Sequence, residues 1–233
     1  MLDTNYQDRR FALKEYFDRT AVEAWARMTS DAPLSRVRET VRRGRDAMRA
    51  TLLAMLPDDM TGARLLDAGC GTGALAVEAA RRGADVVAVD LSPNLVDLAR
   101  ERCPADVGPG RILFVSGDML AADLGAFDFA VAMDSLIHYD TPDVVTALGR
   151  LADRTSAKIA FTFAPRTPML STMHAAGKLF PRSDRAPAIV PHGARDLRTR
   201  IAASPALADW SAGESQRIKS GFYISEAMEI ARR

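Results

Sequence analysis

Two aspartates and three glycines near residue 70 have the types and spacing of a nucleoside-binding site. Asp67 ends an apolar run, and Gly69, Gly71 and Gly73 follow it in the sequence DAGCGTG. Glycines here let the backbone turn sharply and approach a ligand closely, with the N–H groups of a following helix facing it. Asp90 ends the next apolar run, where a carboxylate can accept hydrogen bonds from both hydroxyls of a ribose. The pattern therefore predicts nucleoside binding; the alternative for the glycines alone is a tight turn.

The spacing of the glycines indicates which kind of nucleoside is bound. It is G-x-G-x-G, whereas the turn that seats a pyrophosphate has the spacing G-x-G-x-x-G. Asp67 precedes the turn at a point where its negative charge would repel an anion. A nucleoside that carries an amine and a sulfonium therefore fits the pattern better than a dinucleotide does.

The elements around these residues predict an α/β fold. Between residues 61 and 164, short apolar runs alternate with helical patterns, which is typical of a parallel sheet with right-handed crossovers. Five strands are predicted there, in the sequences ARLLDAG, DVVAVD, RILFVSGD, FDFAVAMD and KIAFTFAP. Two more are predicted around residues 210–219 and 221–230. We therefore expect a seven-stranded, mostly parallel, Rossmann-like sheet with helices on both faces.

Two further segments flank this core. Residues 1–32 form a predicted helical arm with an apolar stripe, and residues 33–233 form the main domain. The helix predicted near residues 34–55 has an arginine-rich side that we expect to be exposed, and Gly44 interrupts its apolar face. Residues 165–193 contain five prolines and are interpreted as an insertion that caps the carboxyl ends of the strands, where open α/β sheets bind ligands.

Composition places the chain among ordinary globular proteins. It has 233 residues, of which 48% are hydrophobic and 26% charged, so a disordered or fibrous chain is excluded. Its two cysteines give no zinc signature, and no apolar stretch reaches the roughly 18 residues of a membrane span. The charged amino-terminal stretch does not resemble a secretory signal, so we expect a cytoplasmic protein. Residues 166–200 are basic, and form either a solvated face or a surface for anionic substrate or lipid.

The chemical motifs resemble those of the class I S-adenosylmethionine-dependent methyltransferases. The resemblance covers LLDAGCGTG, VVAVDLS, the turn SGDM and FDFAVAMDSLIHY. It implies that S-adenosyl-L-methionine is the co-substrate and leaves as S-adenosyl-L-homocysteine. By the resemblance, the three glycines and Asp134 face the methionyl part, Asp90 holds the ribose, and Leu91 lines the adenine pocket. Asp118 would bond the adenine amino group while Met119 packs on the ring.

The flanking motifs are similar to those of the magnesium-protoporphyrin IX methyltransferase family, in its purple-bacterial branch. They are EYFD in the arm, LIHY after the fourth strand, FAPRT at the end of the fifth, GKLFP in the insertion and GFY near the carboxyl end. The resemblance implies esterification of a propionate of magnesium protoporphyrin IX, giving the 13-monomethyl ester in (bacterio)chlorophyll biosynthesis. Mg²⁺ would enter only as part of the substrate.

The resemblance also bears on partners and location. Transient contact with the magnesium chelatase, which supplies the substrate, is a family-level expectation. Because the substrate is hydrophobic, peripheral association with the cytoplasmic face of the photosynthetic membrane is consistent with a cytoplasmic protein. We expect no nucleic-acid partner.

The porphyrin substrate is a flat apolar disc with two carboxylates, and the flanking segments contain residues that match it. The apolar set in the arm and the insertion comprises Tyr16, Phe17, Trp25, Met169, Met173, Leu179 and Phe180, and the cations for the carboxylates are Arg166 and Lys178. In the LIHY loop, Ile137 and Tyr139 are expected to contact the substrate. The alternative for each apolar residue is that it only packs the arm on the core.

His138 and Tyr16 are the expected catalytic residues. His138 would orient the propionate, deprotonate it if burial raises the pKa of the propionic acid, or approach the magnesium of the substrate as a neutral imidazole. Tyr16 would donate its hydroxyl to the cofactor or to the carboxylate, with packing as the alternative. His174 and His192 are expected to be structural or surface groups, and Cys70 a small filler in the glycine turn.

Two other functions stay open from the sequence. An O-methyltransferase for another small acceptor, such as a quinol or phenol, would share residues 67–134 and differ in the arm and the insertion. A non-catalytic tetrapyrrole carrier could retain the fold, although the intact glycine turn and Asp90 argue against a decayed cofactor site. Amide methylation is disfavoured, because residues 134–137 read DSLI where such enzymes have an Asn/Asp-Pro-Pro-aromatic run.

Overall fold

The structure, a computed structural model, describes residues 4–20, 35–167 and 188–233. Its strands are β1 (Arg64–Ala68), β2 (Asp85–Asp90), β3 (Arg111–Ser116), β4 (Phe127–Ala132), β5 (Thr155–Pro165), β6 (Pro191–His192), β7 (Trp210–Ser220) and β8 (Tyr223–Arg232). Seven of them are hydrogen-bonded in the order β3-β2-β1-β4-β5-β8-β7. Strands β1 to β5 run parallel, and β8 pairs antiparallel with both β5 and β7.

The expected α/β fold with a mostly parallel sheet is confirmed, but the expected strand number of seven is wrong. An eighth strand, β6, pairs with β5 outside the main order. It is only two residues long and begins with a proline. Such a strand is too short to show the alternation of apolar and polar residues by which strands are predicted.

The helices are α1 (Thr4–Glu15), α2 (Arg36–Ala54), α3 (Ala74–Arg81), α4 (Pro93–Arg102), α5 (Thr141–Ala152) and α6 (Ala194–Ala203). A π-helical turn, Tyr16–Thr20, continues α1. Helix α4 begins as the sequence predicts, since the Ser92 hydroxyl accepts from the N–H of Leu95 and Pro93 is its first residue. Helix α2 is continuous through Gly44, which interrupts the apolar residues of its sequence pattern and is buried.

Alternate residues of the central strands face two separate clusters of buried side chains. In β1, Leu66 and Ala68 belong to one cluster and Leu65 to the other. Helices α5 and α6 contribute to the first cluster, and α2, α3 and α4 contribute to the second. Helices therefore cover both faces of the sheet.

The strand order places the start of a ligand crevice beside β1. Strand β1 lies between β2 and β4, so the chain leads from it to β2 and β3 on one side and to β4 and β5 on the other. Ligands bind outside the carboxyl ends of the strands at such a point. Residues 21–34 and 168–187, which contain the rest of the predicted arm and most of the predicted insertion, lie outside the described residues. In the part of the chain that is described, no helix is both long and apolar enough to cross a membrane.

Candidate active site

A cavity of about 390 Å³ opens at the carboxyl ends of β1, β2 and β4. Its walls come from the glycine turn after β1, the ends of β2 and β3, the loop after β4, and helices α1 and α2. The sequence-predicted site residues that line it are Phe17, Asp67, Gly69, Gly71, Asp90, Leu91, Asp118, Met119, Asp134, His138 and Tyr139. The structure therefore brings together most of the residues predicted to bind cofactor.

The glycine turn has the left-handed backbone that its glycines allow. At Gly71, φ is +53° and an added Cβ would meet nothing within 4 Å, so this part of the turn borders open space in the cavity. At Gly69, φ is +88° and an added Cβ would lie 2.5 Å from Cβ of Ser135. Gly73 differs from the expectation, because it faces Phe114 and does not line the cavity.

Asp67 is a buried carboxyl with an unused acceptor. Its Oδ2 has no hydrogen-bond partner among the residues that the structure describes. Burial, and secondarily the negative charge of Asp90, raise the pKa of Asp67 to about 7. Burial also raises the pKa of the Cys70 thiol, which therefore stays protonated. A cation placed next to Asp67 would restore its ionised form.

Asp90 is held by two backbone N–H groups at the end of β2. Its Oδ2 accepts from the N–H of Gly71 and its Oδ1 from the N–H of Ser92, both at 2.9 Å. Burial raises the pKa of Asp90, and the N–H groups of Ser92 and Gly71 oppose that shift. Because a carboxylate offers about four acceptor positions, these bonds fix its direction and leave capacity for a ligand.

Asp118 and Met119 line the cavity just after the end of β3. Asp118 accepts from the N–H of Leu120 at 2.9 Å through Oδ1. Its Oδ2 accepts from Nη1 of Arg10 in α1, at 2.6 Å. Met119 is buried next to it. The arm helix therefore reaches the carboxylate that the resemblance assigns to adenine.

Asp134 lies in a cluster of polar side chains that the sequence analysis did not identify. Its carboxylate accepts from Nη1 of Arg45 at 2.6 Å, from the hydroxyl of Tyr223 at 3.1 Å, from Thr162 at 3.1 Å and from Ser225 at 3.3 Å. We call these five residues the Asp134 cluster. GFY in the sequence contained Tyr223, but no local pattern connects residues 89 positions apart.

The expectation that the arginine-rich side of α2 is exposed is wrong in part, because some of its arginines face the cavity. Arg42, Arg45 and Arg49 line the cavity, and the side chain of Arg45 is only 21% exposed. Helical periodicity separates apolar from polar faces, but it does not show that a polar face borders a cavity. These three arginines bring positive charge to a cavity wall that also contains five aspartates.

His138 lies on the loop between β4 and α5, at the edge of the cavity. Its Nδ1 is 3.3 Å from the carbonyl oxygen of Ala188. The N–H of Val190 donates to the carbonyl of Ile137 at 2.8 Å, so residues 188–190 fasten this loop. Tyr139 is buried in the cavity wall, whereas Ile137 does not line the cavity.

The amino-terminal arm is fastened to loops of the sheet beside the cavity. Arg9 donates to the carbonyl of His138 at 2.8 Å and pairs with Asp140 at 3.1 Å. In the π-helical turn, Asp18 accepts from the hydroxyl of Ser92 at 3.0 Å. The arm therefore contacts the loops that follow β2 and β4, in addition to Asp118 after β3.

Two aromatic residues of the arm lie near His138. The ring of Phe17 lies 6.1 Å from that of His138 and lines the cavity. Tyr16 packs edge-on against Phe17, with ring centroids 5.3 Å apart, but does not line the cavity.

The remaining predicted residues lie away from the cavity or outside the described residues. Arg166 is exposed just after β5, and its N–H donates to the carbonyl of His192. His192 is buried, with Nδ1 3.0 Å from the Thr141 hydroxyl, as expected of a structural histidine. The residues outside the described part are Trp25, Met169, Met173, His174, Lys178, Leu179 and Phe180.

Comparisons with known proteins agree with this arrangement. A family model described as "Magnesium-protoporphyrin IX methyltransferase C-terminus" matches residues 132–232, and a general "Methyltransferase domain" model matches residues 65–157. The magnesium-protoporphyrin O-methyltransferase of Rhodobacter capsulatus is 49% identical over 98% of this chain and 99% of that protein. A ubiquinone biosynthesis O-methyltransferase of Xanthomonas oryzae pv. oryzae is 34% identical over 53% of this chain and 54% of that protein.

A solved structure resembles the whole chain. The magnesium protoporphyrin IX methyltransferase of Synechocystis PCC 6803, solved with bound S-adenosylhomocysteine, is 27% identical with a TM-score of 0.79. The match covers 96% of this chain and 100% of that one. The sheet order, the cavity at the glycine turn and these matches define a methyltransferase of the α/β class. The identity of 49% over nearly the full length identifies the family within this class. The chain belongs to the magnesium-protoporphyrin O-methyltransferase family.

Proposed function

We propose that this chain transfers the methyl group of S-adenosylmethionine to a propionate of magnesium protoporphyrin IX and releases the 13-monomethyl ester. The observation that carries the proposal is the identity of 49% over 98% of the chain with a magnesium-protoporphyrin O-methyltransferase. The cavity gives independent support, because its shape and charges suit the methyl donor. In this proposal Mg²⁺ enters only as part of the substrate.

The nucleoside part of the donor fits the acidic groups along the cavity. Asp90 keeps acceptor positions for the two ribose hydroxyls, and Leu91 lines the adjoining wall. Asp118 is placed to accept from the adenine amino group, with Met119 against the ring. In this arrangement adenine and Arg10 share the Asp118 carboxylate, which couples the arm to the bound nucleoside.

The methionyl part fits the other end of the cavity. The unpartnered oxygen of Asp67 gives a cationic amine a partner, and the space beside Gly71 lets the ligand approach the backbone. The carboxylate of the methionyl group needs positive charge, and α2 brings Arg42, Arg45 and Arg49 to the cavity wall. Arg45 would then be shared with Asp134, and Arg49 with Asp46. Both charges of this zwitterion therefore have a counterpart in the cavity wall.

When bound, S-adenosylmethionine supplies a methyl group on a cationic sulfur, and a carboxylate oxygen takes that group as the C–S bond breaks. The protein has to hold the two reactants in line, which can supply up to about 7–11 kcal/mol of the barrier. A propionate titrates near the Glu reference of about 4.3 and is ionised at neutral pH, so a strong base is not required. Because positive and negative charge neutralise each other, excluding water favours the transfer.

In this proposal His138 contacts the acceptor carboxyl. A carbonyl oxygen only accepts, so Nδ1 of His138 carries a proton in its contact with Ala188. In a neutral ring Nε2 is then an acceptor, which suits proton removal from a propionic acid or approach to the magnesium of the substrate. Orientation of a propionate by donation requires the charged imidazolium. The arm holds this loop through Arg9.

The substrate surface is formed by the arm and the carboxyl-terminal half. Phe17 lines the cavity beside His138, and Tyr16 packs edge-on against Phe17. In this proposal the Tyr16 hydroxyl donates to the cofactor or to the acceptor carboxylate. Arg166 is exposed at the end of β5, where it can bind the second propionate. Phe180 and the rest of the segment 165–193 would cap the disc, and Ile137 and Tyr139 would border it.

Two further associations belong to the proposal. Contact with the magnesium chelatase would pass the hydrophobic substrate directly to this cavity. Peripheral association with the photosynthetic membrane would bring the protein to its hydrophobic substrate, and the exposed rings of Phe11 and Phe222 would each be able to enter such a surface. Flotation with anionic vesicles would measure it, and a chain that stays at the bottom of the gradient would contradict it.

One observation is compatible with a different methyl acceptor, a quinol. Ubiquinone biosynthesis O-methyltransferases match about half of the chain, so the donor site alone would also serve a quinol. The family match over residues 132–232 favours the porphyrin instead.

The deciding experiment mixes purified protein and S-adenosylmethionine with magnesium protoporphyrin IX, metal-free protoporphyrin or a catechol-type quinol in parallel. The pigments are then separated by chromatography. We expect a monomethyl ester, formed chiefly from the magnesium porphyrin. Methylation of the quinol alone would establish the alternative acceptor, and porphyrin that binds without being methylated would establish a carrier.

A further inference from the structure

Asp134, two residues after β4, has a backbone conformation that L side chains rarely adopt. Its φ is +56°, and among the described residues no other non-glycine residue has a positive φ. Such conformations persist only where the surrounding contacts hold them, and they concentrate at functional sites. The contacts that hold Asp134 are therefore informative.

The hydroxyl of Tyr223 contacts both oxygens of the Asp134 carboxylate. It lies 3.2 Å from Oδ1 and 3.1 Å from Oδ2 of Asp134, whereas Arg45 binds Oδ2 and Ser225 binds Oδ1. Burial raises the pKa of Tyr223 well above its ordinary range, so the hydroxyl remains a donor. The backbone N–H of Asp134 adds a bond of 2.7 Å to Thr162. These contacts anchor Asp134 from α2, β5 and β8 together.

The conformation of Asp134 sets the direction of the loop that follows. Ser135 is pressed against the glycine turn, where an added Cβ on Gly69 would lie 2.5 Å from its Cβ. His138 comes three residues later, and the loop is fastened again at Ile137. Only three residues separate Asp134 from His138, and Ser135 is packed against the glycine turn, so the loop has little slack to absorb a change in the backbone of Asp134.

We propose that Tyr223 is a positioning residue for methyl transfer, acting through Asp134 on the loop that carries His138. The proposal rests on the proposed function, since it assigns Tyr223 a part in that reaction. Tyr223 itself does not line the cavity. Its effect therefore reaches the reaction through Asp134 and the loop that carries His138.

The test removes only the hydroxyl. In Tyr223→Phe the ring stays packed against Gly44, and the bond to Asp134 is lost. The matched control is Ser211→Ala, which removes an exposed hydroxyl from the same hairpin outside the Asp134 cluster. We expect Tyr223→Phe to lower kcat about tenfold while the Kd for S-adenosylhomocysteine stays within about threefold. Ser211→Ala is expected to change neither.

A double variant separates positioning from general stability. If Tyr223 acts through His138, adding Tyr223→Phe to His138→Ala lowers kcat no further, since coupled residues are not additive. Multiplicative losses in the double variant would overturn the proposal. So would an unchanged kcat in Tyr223→Phe, or a fall in kcat matched by an equal loss of ligand affinity.

A spectroscopic measurement keeps the proposal independent of activity. The chain has three histidines, so the ring signals of ¹³C-labelled histidine are few, and His138→Ala assigns the one of interest. We expect Tyr223→Phe, and separately Asp134→Asn, to shift the His138 signal, while Ser211→Ala leaves it in place. An unmoved signal in both variants would contradict the coupling even in a chain that methylates the porphyrin. A shifted signal in a chain that does not methylate it would contradict the proposed function alone.

Discussion

Gly44 of α2 lies directly against the ring of Tyr223 on β8. An added Cβ would be 2.6 Å from Cδ1 and 2.9 Å from Cβ of that tyrosine, closer than real side-chain atoms approach. The next residue of α2 is Arg45, whose Nη1 lies 2.6 Å from Oδ2 of Asp134. The crossing of α2 and β8 is therefore part of the construction of the cavity.

We expect Gly44→Ala to destabilise the protein by about 1–3 kcal/mol, because the clash involves Cβ of Tyr223 and cannot be relieved at a side-chain tip. Chemical denaturation measures the change as a lower midpoint. Arg43→Ala, at an exposed neighbouring position of α2, is the control and should stay within about 0.5 kcal/mol. An unchanged midpoint in Gly44→Ala would mean that α2 and β8 are not packed this closely.

Cofactor binding should depend on pH through Asp67. Its pKa of about 7 in the ligand-free chain means that the carboxyl is largely protonated below neutrality. A cationic ligand prefers the carboxylate, so binding releases this proton, and affinity rises by up to tenfold per pH unit until about pH 7. Calorimetry with S-adenosylhomocysteine in buffers of different ionisation enthalpy measures the released protons. Asp67→Asn should bind more weakly and without this dependence; equal proton release by the variant would assign it to another group.

Asp90→Ala should weaken binding of S-adenosylhomocysteine at least tenfold, since the ribose loses its acceptor and two backbone N–H groups lose their partner. Isothermal calorimetry gives the affinity. Asp97→Ala on the exposed side of α4 removes a carboxylate of the same strand–helix unit without touching the cavity, and should bind normally. Normal binding by Asp90→Ala would show that the ribose does not bind at this end of β2.

His138→Ala should keep the affinity for S-adenosylhomocysteine within about threefold and lose most of the turnover, because His138 lies at the acceptor side of the cavity. Calorimetry and a chromatographic assay of the methyl ester measure the two quantities on the same preparation. Full turnover would show that the imidazole only packs against Phe17.

Much of the fold was predictable because its signals are local. Ser92 and Pro93 mark the start of α4, and Gly71 permits the left-handed turn. Short apolar runs that alternate with helical patterns indicate a parallel sheet covered by helices. The acidic residues Asp67 and Asp90 were found because each ends a strand, and parallel strands end at one edge. These features need only a few neighbouring residues to be recognised.

The rest depends on contacts between distant parts of the chain. Arg45 and Tyr223 each lie 89 residues from Asp134, and only the sheet order brings them together. The polar side of α2 was assigned to solvent because periodicity does not distinguish water from a polar cavity. Gly44 interrupts the apolar stripe predicted for α2, and no local pattern shows that it provides space for Tyr223 of β8.

Strand β5 is the point in the sheet where the strand direction changes. On one side it pairs with parallel β4, and on the other with antiparallel β8 of the terminal hairpin. A protein engineer could therefore use it as a junction for hybrids of this chain with a related enzyme. Such hybrids would need α2 and β8 from one parent, because a Cβ at Gly44 would lie 2.6 Å from the ring of Tyr223.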